Sequence, residues 1–116
     1  MAASPHAGEC TMNQSDTARL RAQAQILKAL AHPSRLLIAE ELGRGERCVC
    51  ELTEMVGADM STVSKHLSIM KNAGIVDCEK RGSGMYYSLK MRCVLGFFSC
   101  VNKVLKNKAA EQMQFA

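Results

Sequence analysis

The stretch Ser61–Val76, "STVSKHLSIMKNAGIV", carries an apolar row at helical spacing and a polar face opposite it, and that division decides the fold. Val63, Leu67 and Met70 stand at i, i+4 and i+7, the inward row of one helix. Ser61 is placed to cap that helix, and Gly74 to stop it in the left-handed conformation. The outward positions hold Thr62, Ser64, Lys65, His66, Ser68 and Lys71, with no acidic residue from Ser61 to Asn72. Hydroxyls and amines bond phosphates and base edges, whereas carboxylates are repelled by a phosphate backbone.

On the N-terminal side, Leu52, Met55 and Val56 form a short amphipathic helix ended by Gly57. A short helix, a four-residue turn and a second helix make a helix-turn-helix, in which the first helix braces the second so that its outer face can enter a major groove. On the C-terminal side, "IVDCEKR", "GSG" and "MYYSLK" read as two extended runs around a glycine-containing loop, a β-hairpin. Lys80 and Arg81 beside those glycines suit a wing lying along phosphates, and Tyr86, just past the loop, is a candidate for a further phosphate contact. A Lys/Ser-rich helix face by itself is usually only solvated. The basic wing behind it shifts the balance to double-stranded DNA.

Further out, Leu20, Ala24, Leu27 and Ala31, widened by Ile26 and Leu30, predict a helix over Thr17–Ala31. His32-Pro33 ends it and starts a second helix through "SRLLIAEEL", which stops near Gly43 and Gly45. From Met91 to Lys106, Val94, Phe97, Phe98, Val101, Val104 and Leu105 stand at i, i+3, i+4, i+7, i+10 and i+11, a last amphipathic helix. The expectation is a mostly α, α+β chain: a flexible tail over 1–15, one winged helix-turn-helix domain over 16–107, and a frayed polar tail over 108–116.

The 116 residues suffice for one small core, and dimerisation with a second chain is expected to complete it. The opening "MAASPHAGECTMNQSD" lacks a basic segment followed by an apolar run, and no later stretch reaches the roughly 20 apolar residues that cross a bilayer. A cytoplasmic protein with no membrane partner is expected, and its six cysteines are then expected as thiols available as ligands or redox groups. Fifteen Lys and Arg against 11 Asp and Glu leave +4, a mild bias towards a polyanion. His66 is read as a surface donor, His32 as a boundary residue, and neither as a metal ligand.

Together, "LKALAHPSRLLIAEEL", "RCVCEL", "STVSKHLSIMKNAGIV" and "RGSGMYYSL" resemble the ArsR/SmtB family of metal- and metalloid-responsive repressors. The resemblance runs from Thr17 to Lys106. It implies a winged-helix homodimer joined through its first and last helices, which leaves its operator when an inducer binds and catalyses nothing. Carried over by position, "STVSKHL" is the recognition helix, Asp77 to Leu89 the wing, and Cys48 and Cys50 the dithiol of the family's metalloid or soft-metal site. No constitutive cofactor is implied.

On a regular helix Cys48 and Cys50 would point about 200° apart, while in extended backbone i and i+2 share a side. One ion can take both only where the helix starts late or its first turn opens. Thiolates select soft ions, with As(III) or Sb(III) expected first and Cd(II) or Pb(II) next. Arsenite takes three sulfurs, yet the third cysteine of the familiar arsenic pattern is absent and Thr53 stands in that region. Cys10 on the partner's tail, Cys93 and Cys100 are the candidate third ligands, the last two being equally suited to packing. Cys78 reads as structural. Between Met91 and Lys106 there is neither histidine nor carboxylate, so the zinc and nickel site of other branches is not expected.

The alternative within the same fold is a thiol-redox or persulfide-responsive repressor, although "LLIAEEL" lacks the second-helix cysteine of that branch. A C-x-C oxidoreductase lacks a βαβ context and any cofactor motif. A winged helix used only for protein contacts is the remaining reading.

Overall fold

The computed structural model describes residues 13–115, with side chains through Met113. Its elements are α1 Gln14–Leu30, α2 Pro33–Arg44, β1 Arg47–Cys48, α3 Val49–Val56, α4 Met60–Asn72, β2 Val76–Arg81, β3 Gly84–Leu89 and α5 Val94–Phe115.

The local signals read from sequence act as helix boundaries, with three differences. Asn13 Oδ1 accepts the Asp16 N–H at 2.8 Å, so α1 begins at Gln14 and takes in residues expected to be tail. Asp59, not Ser61, caps α4: its Oδ1 accepts the Thr62 N–H at 2.8 Å and the Ser61 hydroxyl at 3.1 Å. A carboxylate one turn before the first buried residue also faces the positive end of the helix dipole. At the other end of the chain, α5 continues to Phe115, through a segment whose polarity predicts fraying. Cys10 lies outside the described residues.

Gly57 stops α3 with φ +75°, its N–H reaching the Thr53 carbonyl at 3.0 Å. Pro33 opens α2, and His32, extended ahead of it, accepts the Ser34 N–H on Nδ1 at 3.1 Å.

Ile38, Leu42, Leu52, Val63, Leu67, Met70, Ile75, Val76 and Val94 are fully buried and join α2, α3, α4, the sheet and the start of α5 into one core. Each large aliphatic side chain buried there contributes about 2 kcal/mol by apolar area. Helix α5 seats where α2 ends: a Cβ on Gly43 would lie 2.8 Å from Leu95 Cδ2, and Arg92 Nη2 donates to the Gly43 carbonyl at 3.1 Å.

The hairpin expected from sequence is present, but the sheet has three strands in the order β1-β3-β2, all antiparallel. Arg81 pairs with Gly84 across the two-residue turn Gly82-Ser83, and Gly82 takes φ +60° as a primed turn requires. The third strand is only Arg47 and Cys48, opposite Tyr87 and Tyr86.

Past Phe98, every described residue of α5 through Met113 is exposed. Phe97, Val101, Val104 and Leu105 on α5 and Leu27 on α1 are each 40% exposed or more, so most of the apolar stripe of α5 is uncovered in the single chain. An apolar groove of about 440 Å³ runs between these helices, lined by Leu27, Leu36, Phe97, Val101 and Leu105 among others.

Candidate nucleic-acid interface and dithiol

Helices α3 and α4 meet through Gly57, Ala58 and Asp59, and α4 is held from behind by Val63, Leu67 and Met70, all fully buried. With that row turned inward, Ser61, Thr62, Ser64, Lys65, Ser68 and Lys71 are exposed on the opposite side, as the spacing predicts. The Cys78 side chain on β2, beside the Lys71 ammonium, holds the Lys71 pKa above the ordinary lysine value. The Thr62 and Ser61 hydrogen bonds hold the Asp59 carboxyl below the usual carboxylate range and keep the cap ionised.

His66 is corrected by the structure. Expected on the outer face, it is 8% exposed, and its Nδ1 accepts from Arg35 Nε at 3.0 Å. It precedes Leu67 on α4, and helical geometry lets a residue beside the apolar row turn either way. The choice was made by Arg35, 31 residues back, which no local pattern reveals.

The wing residues are also differently employed than the sequence suggests. Lys80 is exposed, but Arg81 forms a fork on Glu46, Nη1 to Oε1 and Nη2 to Oε2 both at 2.9 Å, while its Nε reaches Glu79 at 3.0 Å. The guanidinium lies 5.1 Å from the centre of the Tyr86 ring. Glu46 is pushed below the usual carboxylate range, mainly by the Arg81 hydrogen bonds. Sequence reading missed Glu46 because it lies 35 residues from its partner.

For phosphate to reach Arg81, it must displace or join two carboxylates, and their charge opposes it. Replacing Glu46 with glutamine is therefore expected to raise DNA affinity roughly threefold to tenfold at low salt and steepen its salt dependence, about one more ion released per wing. Equilibrium anisotropy at several salt concentrations checks this. An unchanged affinity and slope would mean that Arg81 stays away from the backbone.

Cys48 and Cys50 straddle the change from strand to helix. Cys48 has extended backbone, φ −80° and ψ 161°, pairs across the sheet with Tyr86 and immediately precedes α3; Cys50 is the second residue of the helix and is exposed. The helix thus begins between the two cysteines, with Cys48 extended ahead of it and Cys50 inside its first turn. Glu51 reaches back from the first turn to accept the Cys48 N–H at 3.0 Å, which keeps that carboxyl below its usual range. Among the described residues, Cys48, Cys50, Cys78, Cys93 and Cys100 carry no disulfide, and no three His, Cys, Asp or Glu side chains gather to hold a metal. Cys93, just ahead of α5, and Cys100, within it, are exposed and do not complete a three-ligand site with the pair in one chain. Two thiols one residue apart in sequence offer soft donors, one short of the three sulfurs that arsenite takes.

Residues 32–77 match the family described as "Bacterial regulatory protein, arsR family". The chain is similar to the arsenical resistance operon repressor of Bacillus subtilis (strain 168), 39% identical over 89 residues, 76% of this chain and 85% of that one. It is also similar to a cadmium resistance transcriptional regulatory protein CadC homolog of Staphylococcus aureus, 40% identical over 67 residues, 57% of this chain and 55% of that one. Among solved structures, the homodimeric winged helix-turn-helix DNA-binding domain Mb0332 of Mycobacterium bovis, described as a possible ArsR-family regulator, superposes with a TM-score of 0.74 at 29% identity. The match covers 86% of this chain and 93% of that one.

Proposed function

The chain belongs to the arsR family of bacterial regulatory proteins, and from that premise we propose that it is a homodimeric repressor released from operator DNA when a soft metalloid, As(III) or Sb(III) first, binds Cys48 and Cys50. Its fold is the winged helix-turn-helix of DNA-binding transcriptional regulators. The family supplies the regulatory role; the inducer rests on the dithiol.

The observation that carries the proposal is where that dithiol sits. Cys48 belongs to β1, which pairs with β3 of the wing, and Cys50 to the first turn of α3, which braces α4. A ligand that takes both sulfurs has to draw Cys48 towards the helix. That movement strains the pairing of Arg47 and Cys48 with Tyr87 and Tyr86, and the bond from the Cys48 N–H to Glu51. Brace and wing are thereby disturbed from one point. Both sulfurs bind best in a geometry that the DNA-competent form disfavours, which is the difference in affinity between states that induction requires. A coupling of 1–3 kcal/mol weakens binding by about 5- to 150-fold. The third sulfur for arsenite falls to a cysteine of the partner subunit, Cys10, Cys93 or Cys100.

The groove between α1 and α5 supports a second copy of the chain, and the exposed α4 row with Lys80 supports operator binding. In this reading Ser61, Thr62, Ser64, Lys65, Ser68 and Lys71 face the groove, with Arg81 and Tyr86 at the wing. Lys65→Gln is expected to weaken operator binding roughly tenfold and flatten its salt dependence by about 1.8, near 0.9 for each of two phosphates per dimer. Anisotropy over a salt series measures it, and wild-type affinity and slope would remove Lys65 from the interface.

The proposal as a whole is tested by titrating the reduced protein, bound to its fluorescent upstream DNA, with arsenite, Cd(II) and Zn(II). Release by arsenite or Cd(II) is expected. A complex that survives both overturns the assignment of the inducer.

A further inference from the structure

Three helices meet where no site has been described. Arg35, in the first turn of α2, donates from Nε to His66 Nδ1 on α4 at 3.0 Å, and from Nη1 to the Lys28 carbonyl near the end of α1 at 3.5 Å. The His32 ring lies against the His66 ring, centroids 4.4 Å apart at 48°. His66 is the sole buried polar or charged residue among those described.

Helix α1 lies along the apolar groove assigned to the second copy, and α4 is the helix assigned to the DNA. A dimer reads two half-sites at a fixed spacing, so the attachment of α4 to the dimerising helices sets how well both recognition helices fit at once. Leu67 and Met70 hold α4 against the core, but apolar contacts are non-directional. Arg35 adds the direction.

We infer that Arg35 and His66 are positioning residues for operator binding, fastening α4 to the corner of α1 and α2 through an imidazole that must accept a hydrogen bond. The inference rests on the DNA-binding reading and is separate from the thiols.

Its chemistry can be followed by proton. Nδ1 accepts from a guanidinium that is charged at every relevant pH, so it carries no hydrogen while the junction is closed. Protonation turns Nδ1 into a donor facing a donor, next to Arg35 and His32. Those two are the titratable neighbours of His66, the first helix contributes only the Lys28 carbonyl to Arg35, and no carboxylate pairs with any of the three among the described residues. Burial, followed by His32 and Arg35, pushes His66 below the ordinary histidine value of 6.5. The sign follows: the open state takes up the proton at higher pH than the closed one. The junction is complete above the ordinary value and loses ground as pH falls below it.

Operator affinity of the full-length reduced protein, measured by anisotropy from about pH 7.5 to 5.5 at constant salt, is expected to fall about tenfold. His66→Asn, whose side-chain oxygen can accept without titrating, is expected to bind nearly as tightly at the upper pH and to lose most of that fall. Arg35→Met is expected to weaken binding at the upper pH while leaving the dimer's mass unchanged. His32→Asn, which keeps a capping oxygen, is expected to retain the fall. A His66→Asn protein with the wild-type pH profile, or a His32→Asn protein that alone loses it, overturns the inference. Histidine-ring NMR of the DNA-free protein supplies a readout independent of DNA: Arg35→Met should raise the His66 titration midpoint, and an unmoved midpoint also overturns it. Wild-type protein that binds no upstream DNA at any pH is a different result, against the DNA-binding reading itself.

Discussion

Replacing Cys48 and Cys50 together by serine is expected to abolish arsenite-induced release while leaving operator affinity in the absence of inducer within about twofold of wild type, and the two halves of that expectation have separate causes. Serine removes a heavy, soft donor and substitutes a hard one of similar size, so affinity for As(III) or Cd(II) should fall by orders of magnitude. The fold, by contrast, asks little of either thiol. Cys50 is exposed, and Cys48 occupies an N-terminal cap position at which serine is among the favoured residues. The bond from the Cys48 N–H to Glu51 is made by backbone and survives the change. The measurement is the concentration of arsenite that releases half of the DNA-bound protein, expected to rise at least about a hundredfold, near the upper end of ordinary allosteric coupling. Release of the double mutant at wild-type arsenite would place the sensor elsewhere. Release of wild type by polysulfide and not by arsenite would make the thiols redox groups, and Cys93 and Cys100 would be the next pair to replace.

The second large effect is expected from Val101→Glu/Leu105→Glu. These side chains are 40% and 58% exposed in the single chain, one turn apart on α5, and both line the groove. Neither is in the core, so folding of the chain should be little changed. In a twofold dimer each substitution appears twice, and desolvating these carboxylates against an apolar face is costly. Sedimentation is expected to show a monomer. Operator affinity should fall by about 10²- to 10⁴-fold, because the second half-site no longer benefits from tethering to the first. A variant that sediments as wild type, with wild-type affinity, would show that this face does something other than join two copies.

How much was legible before the structure depends on the sequence separation of the partners. The inward row Val63, Leu67 and Met70, the glycine stop of α3 and the proline start of α2 depend on neighbours within a turn or two, and all are found as read. The wing was expected from its two extended runs, but β1 was not. Two residues show no alternation, and Arg47 and Cys48 become a strand because Tyr87 and Tyr86 offer an edge. Asp59 was passed over for Ser61 as a cap, since either side chain can serve; the backbone turns helical at Met60, which leaves Ser61 inside the first turn and Asp59 at the cap. The candidate site divides in the same way. The exposed Ser61, Thr62, Ser64, Lys65, Ser68 and Lys71 follow from the row behind them, whereas His66 was assigned to the surface, and Arg81 to the phosphates, on charge and polarity alone.

By itself, then, the sequence determined the helices, the hairpin, the hydroxyl and lysine face of α4 and the closeness of Cys48 to Cys50, because each is a property of backbone periodicity over a few residues. The tertiary structure alone decided that His66 turns inward to Arg35, that Arg81 is held by Glu46, and that Cys48 belongs to the wing's sheet as well as to the brace of the recognition helix. Those are pairings across 31 to 38 residues, and a side chain that can face either way is turned by the partner that the folded chain brings to it.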